Sequence, residues 1–265
     1  MTAPDRPEIS QDRAEPELPF PLLYRDAMML VIDKPAGLPC HRGPQAKRRI
    51  IPVLTDHLDA LRFGLPRRPE AAHRLDKDTS GCLVLGRHPR AMADLNRLFR
   101  DGLIGKTYWA VVEGDPAQDE GLIDLALGKR APDRGWWMKV DPEGLPSQTG
   151  FRVLGRGVGE TGPLAWLALS PLTGRTHQLR VHCAASGWPM LGDEIYGTTP
   201  REGGPGLQLH AQSIAIPLYR KRAPVAVTAP PPAHMLAGLR LCGWSEAYQN
   251  PNASGETGPQ DETLP

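Results

Sequence analysis

Ala71-Ala72-His73-Arg74-Leu75-Asp76-Lys77-Asp78-Thr79-Ser80-Gly81-Cys82-Leu83-Val84-Leu85 passes from an alanine pair, through a dense charged loop closed by glycine, into an apolar run. Cys82–Leu85 is short enough for a strand buried in a sheet. A charged loop ahead of such a strand is a common seat for a catalytic group, because a rigid scaffold holds it while solvent and substrate reach it. The competing reading is a turn in which Asp78, Thr79 and Ser80 cap their own backbone. We adopt that reading for those three and keep Asp76 as the candidate carboxylate.

Working outward, Leu22–Tyr24 and Met28–Ile32 read as a strand pair around Arg25-Asp26-Ala27, and Lys34-Pro35-Ala36-Gly37 turns the chain. Ile51–Phe63 has Val53, Leu54, His57, Leu58 and Leu61 at helical spacing, with Gly64 as a stop. Pro89–Arg100 reads as a helix: proline suits its first turn, Met92, Leu95, Leu98 and Phe99 share a face, and Gly102 ends it. Further strands are expected at Thr107–Val112, Leu122–Leu127, Trp136–Val140, Thr149–Leu154, Leu164–Leu169 and Leu207–Ile216, and a helix at Gln178–Ala185. Strands outnumber helices and often follow one another directly. The expected class is α+β, a mixed and largely antiparallel sheet with flanking helices in a single domain over 18–248. The acidic, Pro-rich segment 1–17 and the polar segment 249–265 read as disordered tails.

The 265 residues carry a net charge of only +1, which argues at first against nucleic acid. The distribution argues otherwise. Met1–Glu17 and Glu246–Pro265 together hold nine acids and two bases, leaving 29 bases against 21 acids between them, a body of net +8. A basic body suits a polyanionic partner, as does a merely solvated surface. The opening residues contain no apolar stretch of a secretory leader, and no apolar run approaches the roughly 18 residues of a membrane span, so a cytosolic protein is expected. Cys40, Cys82, Cys183 and Cys242 have no C-x-x-C spacing, so they read as free thiols rather than a zinc or redox site.

A second polar cluster is Thr173-Gly174-Arg175-Thr176-His177-Gln178-Leu179-Arg180-Val181-His182. Gly174 permits a tight turn, and Arg175 precedes a helix start, where a guanidinium can reach across a cleft. Its bland reading is a polar helix start with Arg180 on a solvated face. Together, His73-Arg74-Leu75-Asp76 with Thr79-Ser80-Gly81, and Gly174 to His182, resemble the two hallmark motifs of the RluA-type RNA pseudouridine synthases. Supporting similarities follow in order: Asp33-Lys34-Pro35-Ala36-Gly37-Leu38; Lys106, Tyr108, Ala110 and Gly114; Leu191-Gly192-Asp193 with Tyr196-Gly197; and Leu209-His210-Ala211 with Ile216-Pro217. The resemblance covers roughly residues 20–232. Gly86-Arg87 and Trp188 depart from the usual pattern, away from the expected chemistry. No accessory RNA-binding domain is expected ahead of Asp76, so substrate selection would fall to the catalytic domain.

The resemblance implies a pseudouridine synthase fold and isomerisation of uridine in transfer or ribosomal RNA: the N1–C1′ bond breaks, the uracil turns, and C5 bonds to C1′. No redox change is involved, so neither cofactor nor metal is expected. It implies catalytic roles for Asp76, Tyr108 and Arg175. Arg175 would pair with Asp76, since an arginine keeps a carboxylate ionised in a dry pocket. Tyr108 would stack on the uracil and help move the C5 proton. Asp76 would attack C1′, add to the base or remove a sugar proton; the residues do not choose. The base must be flipped from its stack, with Arg74 contacting RNA or filling the vacated space. Leu179 and Val181 would line the pocket, and Lys106 would meet phosphate or pair internally. Lys47-Arg48-Arg49 and Arg67-Arg68 are candidate phosphate contacts, while Asp193 and Tyr196 are expected to brace a loop. The expected partner is an RNA stem-loop and the expected state a monomer. Two rivals compete: a glycosidic hydrolase using Asp76 with Asp78 or Asp193 as a second carboxylate, and a catalytically silent RNA-binding module.

Overall fold

The structure, a computed structural model, describes residues 18, 20–42, 52–130, 137–198 and 203–249. The segments expected to be disordered tails, and Lys47-Arg48-Arg49, lie outside the described residues, save the end residue Gln249. In chain order the strands are β1 (Leu22–Arg25), β2 (Met29–Lys34), β3 (Glu70–Ala71), β4 (Ser80–Gly86), β5 (Gly105–Glu113), β6 (Glu120–Asp124), β7 (Leu127–Lys129), β8 (Met138–Val140), β9 (Gln148–Gly159), β10 (Gly162–Pro171), β11 (Leu209–Ile216) and β12 (Val225–Thr228). Three α-helices accompany them: α1 (Pro89–Arg100), α2 (Gln178–Ala185) and α3 (Ala233–Leu241). The main sheet runs β1-β2-β4-β11-β5-β10-β9-β6, with β3 beside β4 and β12 beside β11, while β7 and β8 form a separate ribbon. Every pairing is antiparallel except β4 with β11. The sheet is mixed and largely antiparallel, as expected.

Both faces of the sheet are covered, which is why its central strands read as unbroken apolar runs. Along β4, Leu83 and Leu85 pack with Leu30, Ile32, Leu54, Leu58 and Leu61, whereas Cys82 and Val84 pack with Leu95 and Leu98 of α1. In the other half, Ala110 and Val112 of β5 meet Leu179 and Cys183 of α2, and Trp109 and Val111 meet Met235 and Leu239 of α3. Tyr108 packs against the clusters containing Leu83 and Leu179, at their junction.

The join between β4 and β11 fixes the exit of the loop that carries Asp76. His210 lies beside Ser80 and Ala211 beside Gly81. Gly81 has φ +106°, and a Cβ there would run into the Ala211 backbone, so only glycine fits this approach. The Ser80 hydroxyl and His210 Nδ1 lie 2.8 Å apart, and His210 Nε2 reaches the Ala229 carbonyl at 3.2 Å.

The expected helix over Ile51–Phe63 is instead two 3-10 turns, Leu54–Asp56 and Leu58–Arg62 (Ile51 is outside the described residues). The Asp56 carboxylate accepts from the Val53 N–H at 3.1 Å and from Arg42 at 2.8 Å, closing a tight first turn. The apolar spacing survives because Leu54, Leu58 and Leu61 still face the core. The strand expected at Leu122–Leu127 is divided between β6 and β7. Of the strand expected at Trp136–Val140, β8 forms the last three residues, and Trp136 lies outside the described residues.

Candidate active site

Asp76 stands in a cleft of about 1160 Å³ lined by the loop before β4, the start of β5, the C-terminal end of α1, and the segment from β10 into α2. Its carboxylate is 20% exposed. Two backbone contacts tie down its neighbours: the Thr79 N–H donates to the Asp76 carbonyl at 3.2 Å and the Gly37 N–H to the Lys77 carbonyl at 2.9 Å. Buried Lys34 adds a third, its Nζ donating to the carbonyls of Pro35, Leu38 and Lys77 at 2.8, 2.8 and 3.1 Å. Burial pulls the Lys34 ammonium down to about 8, against the opposing fields of Cys40, Asp78, Asp76 and Asp33. The Asp-Lys-Pro-Ala-Gly segment thus serves as a clamp on the loop carrying the carboxylate.

The cations around Asp76 are arranged differently from expectation. Among the described residues, an ion pair reaches its carboxylate from Arg74 Nη2 at 4.0 Å, and the His177 imidazole Nε2 lies 3.7 Å from it. Arg175 lines the cleft but is exposed, and its Nε donates to the Pro146 carbonyl at 3.2 Å. Its expected pairing with Asp76 is therefore not formed here: the turn before α2 points the guanidinium outward. The buried guanidinium belongs to Arg180, 6% exposed at its side chain, which donates through Nε and Nη2 to Asp193 at 2.8 and 2.6 Å. Burial works against the Arg180 charge, but the Asp193 bonds and the fields of Asp193 and Asp76 outweigh it and hold it above its ordinary value. Asp193, fully buried, also accepts from the Ile195 and Tyr196 N–H groups. Burial alone would raise its carboxyl, and these bonds hold it below the ordinary range.

Tyr108 lines the cleft from β5. Burial, then the charges of Asp76 and Cys82, push its phenol well above the ordinary value, so it holds its proton at neutral pH. Lys106, two residues earlier on the same strand, also lines the cleft, and burial lowers its ammonium. Leu179 lines the cleft, but Val181 is buried outside the lining. Arg74 is exposed at the rim. His73 is held by the Val84 N–H donating to its Nε2 at 3.1 Å and by Phe99, ring centroids 4.6 Å apart. Burial and then Lys106 push it down to about 3, leaving a neutral imidazole.

The carboxylates a hydrolase would need do not face Asp76. Asp78 is exposed beside Lys77, at 3.8 Å, and Asp193 is committed to Arg180; neither lines the cleft. Among the described residues no group of three His, Cys, Asp or Glu side chains could hold a metal ion, and no helix is long and apolar enough to cross a membrane.

Sequence reading did not give His177 or Arg180 a role of its own. The available signal was their position in a motif whose Gln178 ties the turn together. The Gln178 side-chain Oε1 accepts from Thr173 Oγ1 at 2.7 Å and the Arg175 backbone N–H at 2.9 Å, and its Nε2 donates to the Gln148 backbone carbonyl at 2.9 Å.

Residues 28–185 match the RNA pseudouridylate synthase family. A protein of Zymomonas mobilis named as an RNA pseudouridine synthase is 41% identical over 213 residues, covering 80% of this chain and 93% of the relative. The Escherichia coli dual-specificity RNA pseudouridine synthase RluA is 37% identical over 199 residues, 74% of this chain and 85% of the relative. Among solved structures, human RNA pseudouridylate synthase domain containing 1 superposes with a TM-score of 0.66 at 29% identity, over 83% of this chain and 87% of that one.

Proposed function

The chain belongs to the RluA-type RNA pseudouridine synthases, which isomerise uridine within RNA, and on that premise we propose that Asp76 is the carboxylate that carries the reaction. The observation that carries this reading is its position: a partly exposed carboxylate in a cleft of about 1160 Å³, between a guanidinium-bearing wall and a phenol. The volume exceeds the roughly 300–1,000 Å³ of small-ligand sites, leaving room for a flipped nucleotide and its flanking backbone.

In the proposed reaction the target uridine leaves its stack and lies against Tyr108, whose ring supplies a stacking surface. The N1–C1′ bond breaks beside Asp76, the uracil rotates in the cleft, and C5 bonds to C1′. C5 loses a proton and N1 gains one, so atoms and electrons balance without an external donor. The protonated Tyr108 phenol is placed to take part in that proton movement. Arg180, held by Asp193, supplies a fixed guanidinium on the cleft wall; Arg74 and Arg175 are exposed rim contacts for RNA, with Lys106 deeper on β5.

We propose a single-domain monomer acting on stem-loops of transfer or ribosomal RNA in the cytoplasm. The dual-specificity name of the Escherichia coli relative favours a site that accepts one stem-loop shape from more than one RNA. The deciding experiment replaces Asp76 by Asn and measures RNA binding and product together: binding within a few-fold of the parent and no pseudouridine are expected. Substantial product from Asp76→Asn overturns the assignment of the carboxylate. Mapping pseudouridines in total RNA from cells with and without the protein identifies the substrate, and loss of one or a few sites is expected.

A further inference from the structure

We propose that His177 is a positioning residue for Asp76, its ring oriented by the Tyr196 hydroxyl so that Nε2–H faces the carboxylate; this rests on Asp76 being the catalytic group. His177 is 8% exposed and sits just before α2 with φ +52°. A side chain other than glycine held in that left-handed conformation calls for a local reason, and such positions concentrate at functional sites. Here the conformation turns the imidazole inward, with Nε2 3.7 Å from Asp76 Oδ2 and Nδ1 2.8 Å from Tyr196 Oη.

The hydrogen-bond chain orients the ring. The Met138 N–H can only donate, and it donates to Tyr196 Oη at 2.9 Å. With its oxygen accepting there, the Tyr196 hydroxyl donates a hydrogen bond to His177 Nδ1 while keeping its proton, so Nδ1 is the acceptor and the imidazole proton resides on Nε2, toward Asp76. Tyr196 is itself fixed: its N–H donates to Asp193 Oδ1 at 3.0 Å, and the Arg180 guanidinium lies 5.2 Å from its ring centroid. The segment Asp193–Tyr196 therefore governs two groups beside Asp76, Arg180 through the carboxylate and His177 through the phenol.

The charged neighbours of His177 come from each packed element: Asp76 and Arg74 from the catalytic loop, Arg180 from α2, and Asp193 from the following segment. Burial, reinforced by Arg180 and Arg74, lowers the imidazole pKa against the pull of Asp76 and Asp193. His177 thus faces Asp76 at neutral pH as a neutral N–H donor, which orients the carboxyl group. The 3.7 Å separation is longer than a formed hydrogen bond, and the proposed role requires that it shorten in the complex with substrate, as catalytic contacts often do.

The test compares His177→Phe, His177→Gln and Tyr196→Phe in single-turnover assays on an RNA substrate, with Kd and thermal melting measured on the same preparations. Gln keeps an N–H donor near the Nε2 position; Phe keeps bulk alone. His177→Phe is expected to lower the rate by roughly 10–100-fold, the scale of a misplaced reacting group, with Kd within about threefold. His177→Gln should recover most of that loss. Tyr196→Phe should fall between them and change the acid limb of the pH–rate profile, because Nδ1 loses its proton donor. Equal impairment of the Gln and Phe variants, a parental rate in Tyr196→Phe, or a loss confined to Kd overturns the proposal. Should His177→Phe fail to fold, the Tyr196→Phe rate and pH profile decide alone. An active Asp76→Asn enzyme identifies failure of the underlying assignment instead.

Discussion

At the scale of single residues, the proposed chemistry draws on Tyr108, whose buried environment keeps its phenol protonated. Tyr108→Phe keeps the stacking surface and removes the proton. A rate loss of about 100-fold or more with RNA affinity within a few-fold is expected from single-turnover assays, and a parental rate would remove Tyr108 from proton transfer. His210 offers a stability test. Burial pushes its imidazole down to about 4, so the folded protein holds it neutral while an unfolded chain protonates near 6.5. Its contribution is complete above pH 6.5 and is lost as pH falls toward 4, on the order of 3 kcal/mol. Urea denaturation at about pH 7.5, above that window, and at about pH 4.5, near its lower end, should show a steeper decline for the parent than for His210→Gln; equal declines would refute this. The charged loop and the family resemblance led from sequence to Asp76 and Tyr108 as candidates, and both line the cleft. Which of two arginines turns inward was not readable, because that depends on Asp193, thirteen positions after Arg180, reaching back to hold it.

At the scale of elements, the helices with local punctuation were the legible ones. Pro89 opens α1, where the His88 ring accepts the Ala91 N–H at 3.3 Å, and both α1 and α2 have the boundaries expected from spacing. The 3-10 turns before β3 were not legible, since Arg42 and Asp56 set that geometry across fourteen residues. Nor was α3, which follows a proline run and carries Gly238 inside it. The element join most exposed to mutation is β4 against β11. Gly81→Ala drives a Cβ into the Ala211 backbone, so a loss of roughly 1–3 kcal/mol or more is expected by chemical denaturation. Asp193→Ala leaves Arg180 buried without its partner, and a cost of about 3–5 kcal/mol should appear in the same measurement. An unchanged midpoint in either variant contradicts the corresponding interaction.

At the scale of the molecule, the cleft is not the only basic hollow. Arg67 and Arg68, expected from sequence as phosphate contacts, line a second depression of about 340 Å³ with His88 and Asn96, at the opposite end of α1 from the cleft-lining Phe99 and Arg100. If RNA flanking the target reaches both ends of α1, the double variant Arg67→Ala/Arg68→Ala should reduce the slope of log K against log salt by about 0.7–0.9 for each phosphate no longer neutralised. An unchanged slope would leave the pair as solvated surface. The order of strands has a further consequence, for synthesis. Ser80 and His210 are neighbours although 130 positions apart, because β11 is inserted between β4 and β5. A chain emerging from the ribosome carries Asp76 and Tyr108 long before the strand that unites their halves of the sheet has been translated. Until then the nascent chain lacks the wall of the cleft that Leu209, Ser213 and Ala215 supply, so a site able to modify RNA is complete only once translation has passed β11.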